Sequence, residues 1–289
     1  MLQRELGSSG IKLPVLGFGA MELRRMDESD AMYLLGRVLD MGAAFIDTSP
    51  DYACSEEFIG KAISHRRDEF LLASKCACDI WGSSGHIFTR TQLEKNLDNS
   101  LKLLRTEYID IWQIHCPLPG DLDGPHCDAI EYMREQKKAG KLGAVSISFK
   151  NGGAGDALYP AGYSKQGFDA YTEFGFDSIQ AVYGALTPDC EAQIARAHGL
   201  GIGVIARGVL KRYTENHSEN AAMLEDLCEA GGDVNELLIR FVISNENITS
   251  AIVGTSSAEH MKNNIAAAEK GPLPQDILAE IRRRISKIT

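Results

Sequence analysis

Asp47, Tyr52, Lys75 and His115 stand at or just beyond the ends of apolar runs, and their types could together deliver a proton to a carbonyl oxygen. A tyrosine ionises near pH ~10, so it is a poor proton donor at neutral pH unless its anion is stabilised. A lysine ammonium held beside it favours the phenolate, and a carboxylate keeps that ammonium charged and in place. A histidine close by can hydrogen-bond the same substrate oxygen as negative charge develops there. Acyl transfer fits poorly, because no serine or cysteine has an evident paired base. Glycoside hydrolysis would need a second carboxylate at a strand end. Taken singly, Asp47 could be a loop or capping carboxylate and His115 a satisfied core histidine; taken together, the four favour chemistry.

Such residues need elements to position them. Short apolar runs recur at 13–19, 43–48, 70–75, 108–115, 143–148, 178–183, 201–207 and 250–254. Runs that are apolar throughout, rather than alternating, suit parallel strands buried on both faces. Between them lie segments of helical period: Ala31, Leu34, Leu35 and Val38; Leu93, Leu97, Leu101 and Leu104; and Ile277, Ile281 and Ile285 near the end. Ser55 before Glu56 and Glu57, and Thr187 before Pro188, read as helix starts. Eight strands alternating with helices predict a single (β/α)8 TIM barrel over 1–289, of the α/β class, preceded by a β-hairpin at Gly7-Ser8-Ser9-Gly10 and closed by an extra C-terminal helix. The competing doubly wound sheet would carry G-x-G-x-x-G after its first strand, and "GFGAME" lacks the third glycine. Barrel enzymes place their chemistry at the C-terminal ends of the strands, where these runs put Asp47, Lys75, His115, Ser148, Gln180 and Arg207.

Composition narrows the class. With 289 residues, 44% hydrophobic and 24% charged, the chain suits a soluble globular protein. A net charge of −10 argues against a nucleic-acid surface. No run reaches the roughly 18 apolar residues of a membrane span, and the first residues lack a signal-peptide core, so a cytoplasmic address is expected. Seven cysteines without a secretion signal suggest reduced thiols. Cys76 and Cys78 form a C-x-C on an apparent strand, where they would share one face. No further ligand lies near them in sequence, so no metal site is expected and burial as small apolar side chains is the ordinary reading.

At this point a resemblance carries further. "FIDTSPDYACSE" resembles the signature of the aldo-keto reductases, "LLASK" and "IDIWQIH" resemble their lysine and histidine motifs, and "KLGAVSIS", "SIQAVY", "GIGVIA" and "AIVGTSSAEHMKNNIAA" extend the likeness over nearly the whole chain. The resemblance implies a (β/α)8 barrel that reduces an aldehyde or ketone to an alcohol with NAD(P)H, acting on a small-molecule carbonyl substrate. Tyr52 would be the general acid, Lys75 would lower its pKa, Asp47 would partner Lys75, and His115 would orient the carbonyl. Some relatives of this fold act instead as NADP(H)-binding regulatory or sensor subunits with vestigial catalysis, and that is the alternative.

The same resemblance assigns cofactor positions: Gly19, Ala20, Ser148, Gln180, Arg207, Val209, Lys211, Gly254, Thr255, Ser256, His260, Asn263 and Asn264. Ser148 and Gln180 would hold the nicotinamide carboxamide. Phe149 stands where the family often has an asparagine, and cannot donate the amide's hydrogen bonds. Arg207 replaces a stacking aromatic; its guanidinium could stack on the ring, pair with a phosphate, or be a plain salt-bridge residue. Gly254 and His260 occupy positions where some members use lysine and arginine for the 2′-phosphate. Either NADPH is less favoured over NADH here, or hydroxyls, a helix N-terminus and Lys211 or Arg212 bind the phosphate; NADPH is expected, with NADH as the other candidate. Trp81, His86, Phe88 and Tyr159 are candidate pocket residues, the glycine-rich stretch 151–169 a candidate lid. Cys54, Cys76 and Cys116 follow Tyr52, Lys75 and His115 closely; Cys76 and Cys116 read as filler between barrel and helices, with a redox role the alternative.

Overall fold

The computed structural model describes residues 1–79, 85–117, 121–122, 128–149, 172–210, 222–229 and 231–286. Trp81, Tyr159, Lys211, Arg212 and the stretch 151–169 lie outside them. Two short antiparallel strands, β1 (Gln3–Glu5) and β2 (Lys12–Pro14), form the expected hairpin. Eight parallel strands then close a barrel: β3 (Leu16–Gly19), β4 (Phe45–Asp47), β5 (Leu71–Cys76), β6 (Ile109–His115), β7 (Leu142–Ser148), β8 (Ser178–Val182), β9 (Gly203–Arg207) and β10 (Ser250–Gly254), with β10 paired to both β9 and β3. The run 13–19 is therefore two strands, divided at Val15 between hairpin and barrel wall. Helices α1 (Glu28–Asp40), α2 (Ser55–Ile63), α3 (Arg90–Leu104), α4 (Ala129–Lys138), α5 (Glu191–Gly199), α6 (Val234–Ile243), α7 (Ala258–Glu269) and the closing α8 (Gln275–Ile285) follow among the described residues. No helix among them is long and apolar enough to cross a membrane.

Alternation along the strands sorts side chains between two cores. Val145, Ile147, Trp112, Ile114, Leu72 and Cys76 point outward into the larger core under the helices. Phe45, Ala73, Ile111, Ala144, Ile205 and Ile252 point inward and fill the barrel, joined from below by Leu6 and Leu13 of the hairpin. The hairpin is thus a plug. Its turn needs glycine at position 7, where φ is +56° and a Cβ would lie 2.2 Å from the Gly201 carbonyl oxygen. The inward parity continues to the strand ends and gives Asp47, Lys75, Gln113, His115, Ser146, Ser148, Gln180 and Arg207. The apolar interior therefore ends in a polar layer at the C-terminal rim, where barrels carry their sites.

Two helix-start signals do different work from that expected. Ser55 is the first residue of α2 but caps nothing: its Oγ is 2.8 Å from Thr48 Oγ1 and donates to the Ala20 carbonyl at 3.1 Å, tying β3 to the loop after β4. Thr187 pairs with Gly184 in a β-bridge, and α5 begins only at Glu191. The Ser55 signal marks a real helix start although its hydroxyl bonds elsewhere, whereas Thr187 is held by backbone hydrogen bonds to Gly184 and starts no helix.

Glu56 is buried behind the site, accepting hydrogen bonds from Ser74 Oγ at 2.6 Å and Ser100 Oγ at 3.1 Å. Burial raises its carboxyl to about 7, although both serines and the Lys75 charge act in the opposite direction. An acid with a folded pKa above its unfolded value binds more protons when folded, so stability falls as pH rises from about 4.5 to about 7. Glu56→Gln, which cannot ionise, is expected to gain stability relative to the parent across that window, by at most about 3 kcal/mol. Denaturant unfolding at pH 5 and pH 8 measures this; a difference between variant and parent that does not grow with pH refutes it.

Candidate active site

Strand register brings the expected residues together at the rim. Asp47 on β4 and Lys75 on β5 form a fully buried ion pair, Nζ to Oδ2 2.8 Å, and Nζ also donates to the Thr48 carbonyl at 2.7 Å. The second Asp47 oxygen accepts from Gln113 Nε2 at 2.9 Å and Gln180 Nε2 at 2.7 Å. A buried carboxylate is tolerable only when paired and hydrogen-bonded, and Asp47 is both. Gln113 plays a part that no motif singled out. It is the inward residue two before His115, which strand parity alone could have revealed.

Tyr52 lies in the loop after β4, with its ring centroid 4.9 Å from Lys75 Nζ. Burial raises its phenol above the ordinary value; the charges of Lys75 and Arg207 pull the other way, and Asp47 adds to the rise. Lys75 acts in the expected direction, lowering the phenol's pKa, but desolvation outweighs it and the pKa stays above the usual value. Burial also opposes the charge on Lys75, yet Asp47 and Tyr52 hold its pKa above the usual lysine value, so the ammonium stays charged. At neutral pH the site therefore holds a protonated phenol beside a cation.

His115 ends β6, with its Nδ1 2.9 Å from Asp51 Oδ2. Burial pushes the imidazole down to about 4, which the Asp51 hydrogen bond only partly offsets and the Lys75 charge reinforces. It is neutral at physiological pH. Asp51, immediately before Tyr52, is held well below the usual carboxylate range: burial alone would raise it, and hydrogen bonds from His115 and His86 overcome that. His86 packs edge-on against His115, centroids 4.8 Å apart. Phe88 by contrast packs against the outer core, which is the plain packing role.

Three sequence expectations need correction. Cys76 and Cys78 do not share a face: β5 stops at Cys76, Ala77 takes φ +67°, and the chain turns so that Cys78 Sγ reaches to 3.5 Å from His115 Nδ1. Cys76 is the buried outward residue expected, whereas Cys116, at φ +55°, is only half-buried. Phe149 does not face the site at all; it is buried in the outer core, and its carbonyl accepts from Arg207. Arg207 is thereby anchored at the rim by backbone.

Ser148 and Gln180 are adjacent, Ser148 Oγ donating to Gln180 Oε1 at 3.0 Å, and the amide of Gln180 is spent on Asp47. Gly19, Arg207, Val209 and Gly254 line, with Tyr52 and Asp47, a cavity of about 490 Å³. A second cavity of about 690 Å³ shares Leu210 and Gly254 with it and continues along Thr255, His260, Asn263 and Asn264. Ala20 is buried beneath, holding Ser55 through its carbonyl, while Ser256 is exposed at the edge. The N-terminus of α7 is capped by Ser257 Oγ, which accepts from the His260 N–H at 3.3 Å, and Thr255 Oγ1 accepts from the Ser257 N–H at 3.1 Å. A third cavity of about 430 Å³, lined by Arg67, Tyr108 and Asp110 among others, lies at the opposite end near the hairpin and takes no part in this arrangement.

Residues 15–285 match the profile of the aldo/keto reductase family. The chain belongs to this family. Similar proteins include L-galactose dehydrogenase of Arabidopsis thaliana, 26% identical over 96% of this chain and 92% of that protein. A probable voltage-gated potassium channel subunit beta of the same plant is 24% identical over 97% and 95%. Among solved structures, the holo form of aldo-keto reductase AKR11C1 from Bacillus halodurans superimposes with a TM-score of 0.81 at 25% identity, covering 100% of this chain and 96% of that one. As an aldo/keto reductase the chain carries the expected (β/α)8 barrel, and family membership supports NAD(P)H-dependent carbonyl chemistry in general.

Proposed function

We propose that this aldo/keto reductase reduces an aldehyde or ketone to an alcohol, with Tyr52 as the proton donor. The observation that carries the reading is the buried Lys75–Asp47 pair directly beneath the Tyr52 ring. When bound, a reduced nicotinamide would supply the hydride to the carbonyl carbon. The chain's own residues do the rest. Tyr52 holds a proton at its phenolic oxygen because burial keeps that proton on. As the substrate oxygen becomes negative, the proton moves to it, and the Lys75 ammonium stabilises the phenolate left behind. Asp47, Gln113 and Gln180 keep that ammonium in place. His115, neutral and held at the same rim, would orient the carbonyl in the tautomer that carries its proton on Nε2.

The two adjoining cavities fit a dinucleotide. Of the two residues they share, Gly254 has no side chain, and a Cβ on it would come 3.2 Å from the Gly19 carbonyl oxygen, so the backbone lies close there. Gly19, Arg207, Val209 and Gly254 would lie toward the nicotinamide end; Thr255, Ser256, His260, Asn263 and Asn264 toward the adenosine end. Ser148 remains the candidate for the carboxamide, with Gln180 acting mainly through Asp47. NADPH is the favoured cofactor. Titrating the purified protein with NADPH and NADH in separate experiments, followed by nucleotide fluorescence, is expected to give saturable binding with NADPH the tighter. Absence of binding by either removes the reading. The likeness to a potassium channel subunit beta favours the sensor alternative as the second reading; tight NADPH binding with only trace turnover across a panel of aldehydes would select it.

A further inference from the structure

Beside His115, and apart from the Tyr52–Lys75–Asp47 group, four polar side chains from three different segments aim at one point. Asp51 comes from the loop after β4, Cys78 and His86 from the segment after β5, and His115 from the end of β6. One ligand atom of each lies within 4.8 Å of all the others. His115 Nδ1 is 2.9 Å from Asp51 Oδ2, 3.2 Å from His86 Nε2 and 3.5 Å from Cys78 Sγ, while His86 Nε2 is 3.3 Å from Asp51 Oδ2.

Hydrogen bonds from the two rings to Asp51 account for part of this convergence, but not for the approach of His86 Nε2 and Cys78 Sγ to His115 Nδ1. A ring nitrogen carries one proton or one lone pair, so His115 Nδ1 can bond one of its three neighbours well, not all three. His86 Nε2 faces the same shortage with two. A cation at the common point resolves it, since every one of the four atoms can direct a lone pair inward. The spacing agrees. With zinc-to-nitrogen or -oxygen distances of ~2.0–2.1 Å and zinc-to-sulfur of ~2.3 Å, a tetrahedron has N···N and N···O edges of about 3.3 Å and an S···N edge of about 3.6 Å. The four edges that meet at His115 and His86 are near those values, with the His115–Asp51 edge somewhat short, and the edges from Cys78 to Asp51 and to His86 lie within 4.8 Å.

The surroundings hold the donors in place. The Cys78 carbonyl accepts from Gln92 Nε2 at 2.7 Å and Asn96 Nδ2 at 3.0 Å, both from α3. Cys78 and His86 face each other in an antiparallel bridge, flanked by the Ile87 N–H donating to the Ala77 carbonyl at 2.8 Å. Asp51 is exposed and His86 half-buried, which leaves an entry path from solvent.

We propose that Asp51, Cys78, His86 and His115 form a site for a zinc-class divalent cation at the barrel mouth. One sulfur, two imidazoles and one carboxylate select a borderline-soft metal over magnesium or calcium, which take oxygen donors. One carboxylate and one thiolate neutralise the dication, and the thiol proton leaves to solvent as the Cys78 sulfur binds. A cation on Nδ1 also confines the His115 proton to Nε2, fixing the tautomer of the imidazole at the rim.

The test needs neither cofactor nor carbonyl substrate, so its failure is separate from failure of the reductase reading. The full chain, reduced and stripped with a chelator, is titrated with Co²⁺ followed by visible and near-ultraviolet absorption, and with Zn²⁺ in competition with a chromophoric chelator. Expected are one equivalent bound per chain, tetrahedral cobalt bands, and a sulfur-to-cobalt charge-transfer band that Cys78→Ser removes. His86→Ala, at a half-exposed position that leaves the fold intact, is expected to weaken both metals at least about tenfold. No binding, binding without the sulfur band, a band that survives in Cys78→Ser, or unchanged affinity in His86→Ala each overturns the proposal.

Discussion

Tyr52→Phe is expected to lower carbonyl-dependent NADPH oxidation by about 10²–10⁴, the range that a positioned general acid contributes, while NADPH binding stays within experimental error of the parent. The substitution removes only the phenolic oxygen. The ring that packs 4.9 Å from the Lys75 ammonium remains, and so does the cavity wall formed with Asp47 and Arg207. Loss of turnover therefore reports loss of the proton and not collapse of the site. Burial raises the phenol's pKa, so the parent holds its proton throughout the neutral range, and its turnover should not fall between pH 6 and pH 8 through ionisation of Tyr52. Nicotinamide absorbance decay with a reactive aldehyde measures the effect. Turnover in Tyr52→Phe equal to the parent's removes Tyr52 as the donor.

Lys75→Met is expected to be the most destabilising single change at the rim. It leaves Asp47 buried without its counter-charge, and a broken buried ion pair costs about 3–5 kcal/mol. Gln113 and Gln180 still donate to the carboxylate, which places the expected loss toward the lower end. Asp47→Asn in the same chain removes the orphaned charge, so the double variant should recover most of the stability and none of the activity. That split separates the two roles of the pair: mutual neutralisation for the fold, and a fixed positive charge for Tyr52. Denaturant unfolding of the parent, the single variant and the double variant gives the comparison. A single variant within about 1 kcal/mol of the parent would mean that Asp47 is protonated or solvated when alone, and the pair would then have no structural hold.

Much of this was legible beforehand because it depends on period and order alone. Apolar runs followed by polar ends located every strand of the barrel to within two or three residues, since a strand buried on both faces has few ways to look. Asp47, Lys75 and His115 share the inward parity that a barrel imposes, and the tyrosine loop follows the strand that ends at Asp47. What failed was local reading of side chains whose partners come from elsewhere. Ser55 does start its helix, but its hydroxyl bonds to Thr48 and the Ala20 carbonyl; Phe149, which stands where the family often has an asparagine, is buried outside the barrel. Gln180, assigned to the carboxamide by resemblance, also donates to Asp47, a contact its motif did not signal. Ser55 to Ala20 spans 35 residues and Gln180 to Asp47 spans 133, separations that no short window of sequence contains.

From the sequence alone follow the barrel class, the order of its strands and the candidate residues at or just beyond their C-terminal ends, because these rest on hydrophobic periodicity and on motifs carried by single elements. Only the tertiary structure decided the environment of those residues. Burial set against Lys75 leaves the Tyr52 phenol raised rather than lowered. The backbone turn at Ala77 takes Cys78 away from Cys76 and brings it to His115, Asp51 and His86. Desolvation and convergence are sums over distant segments, and they exist only once the chain has closed the barrel.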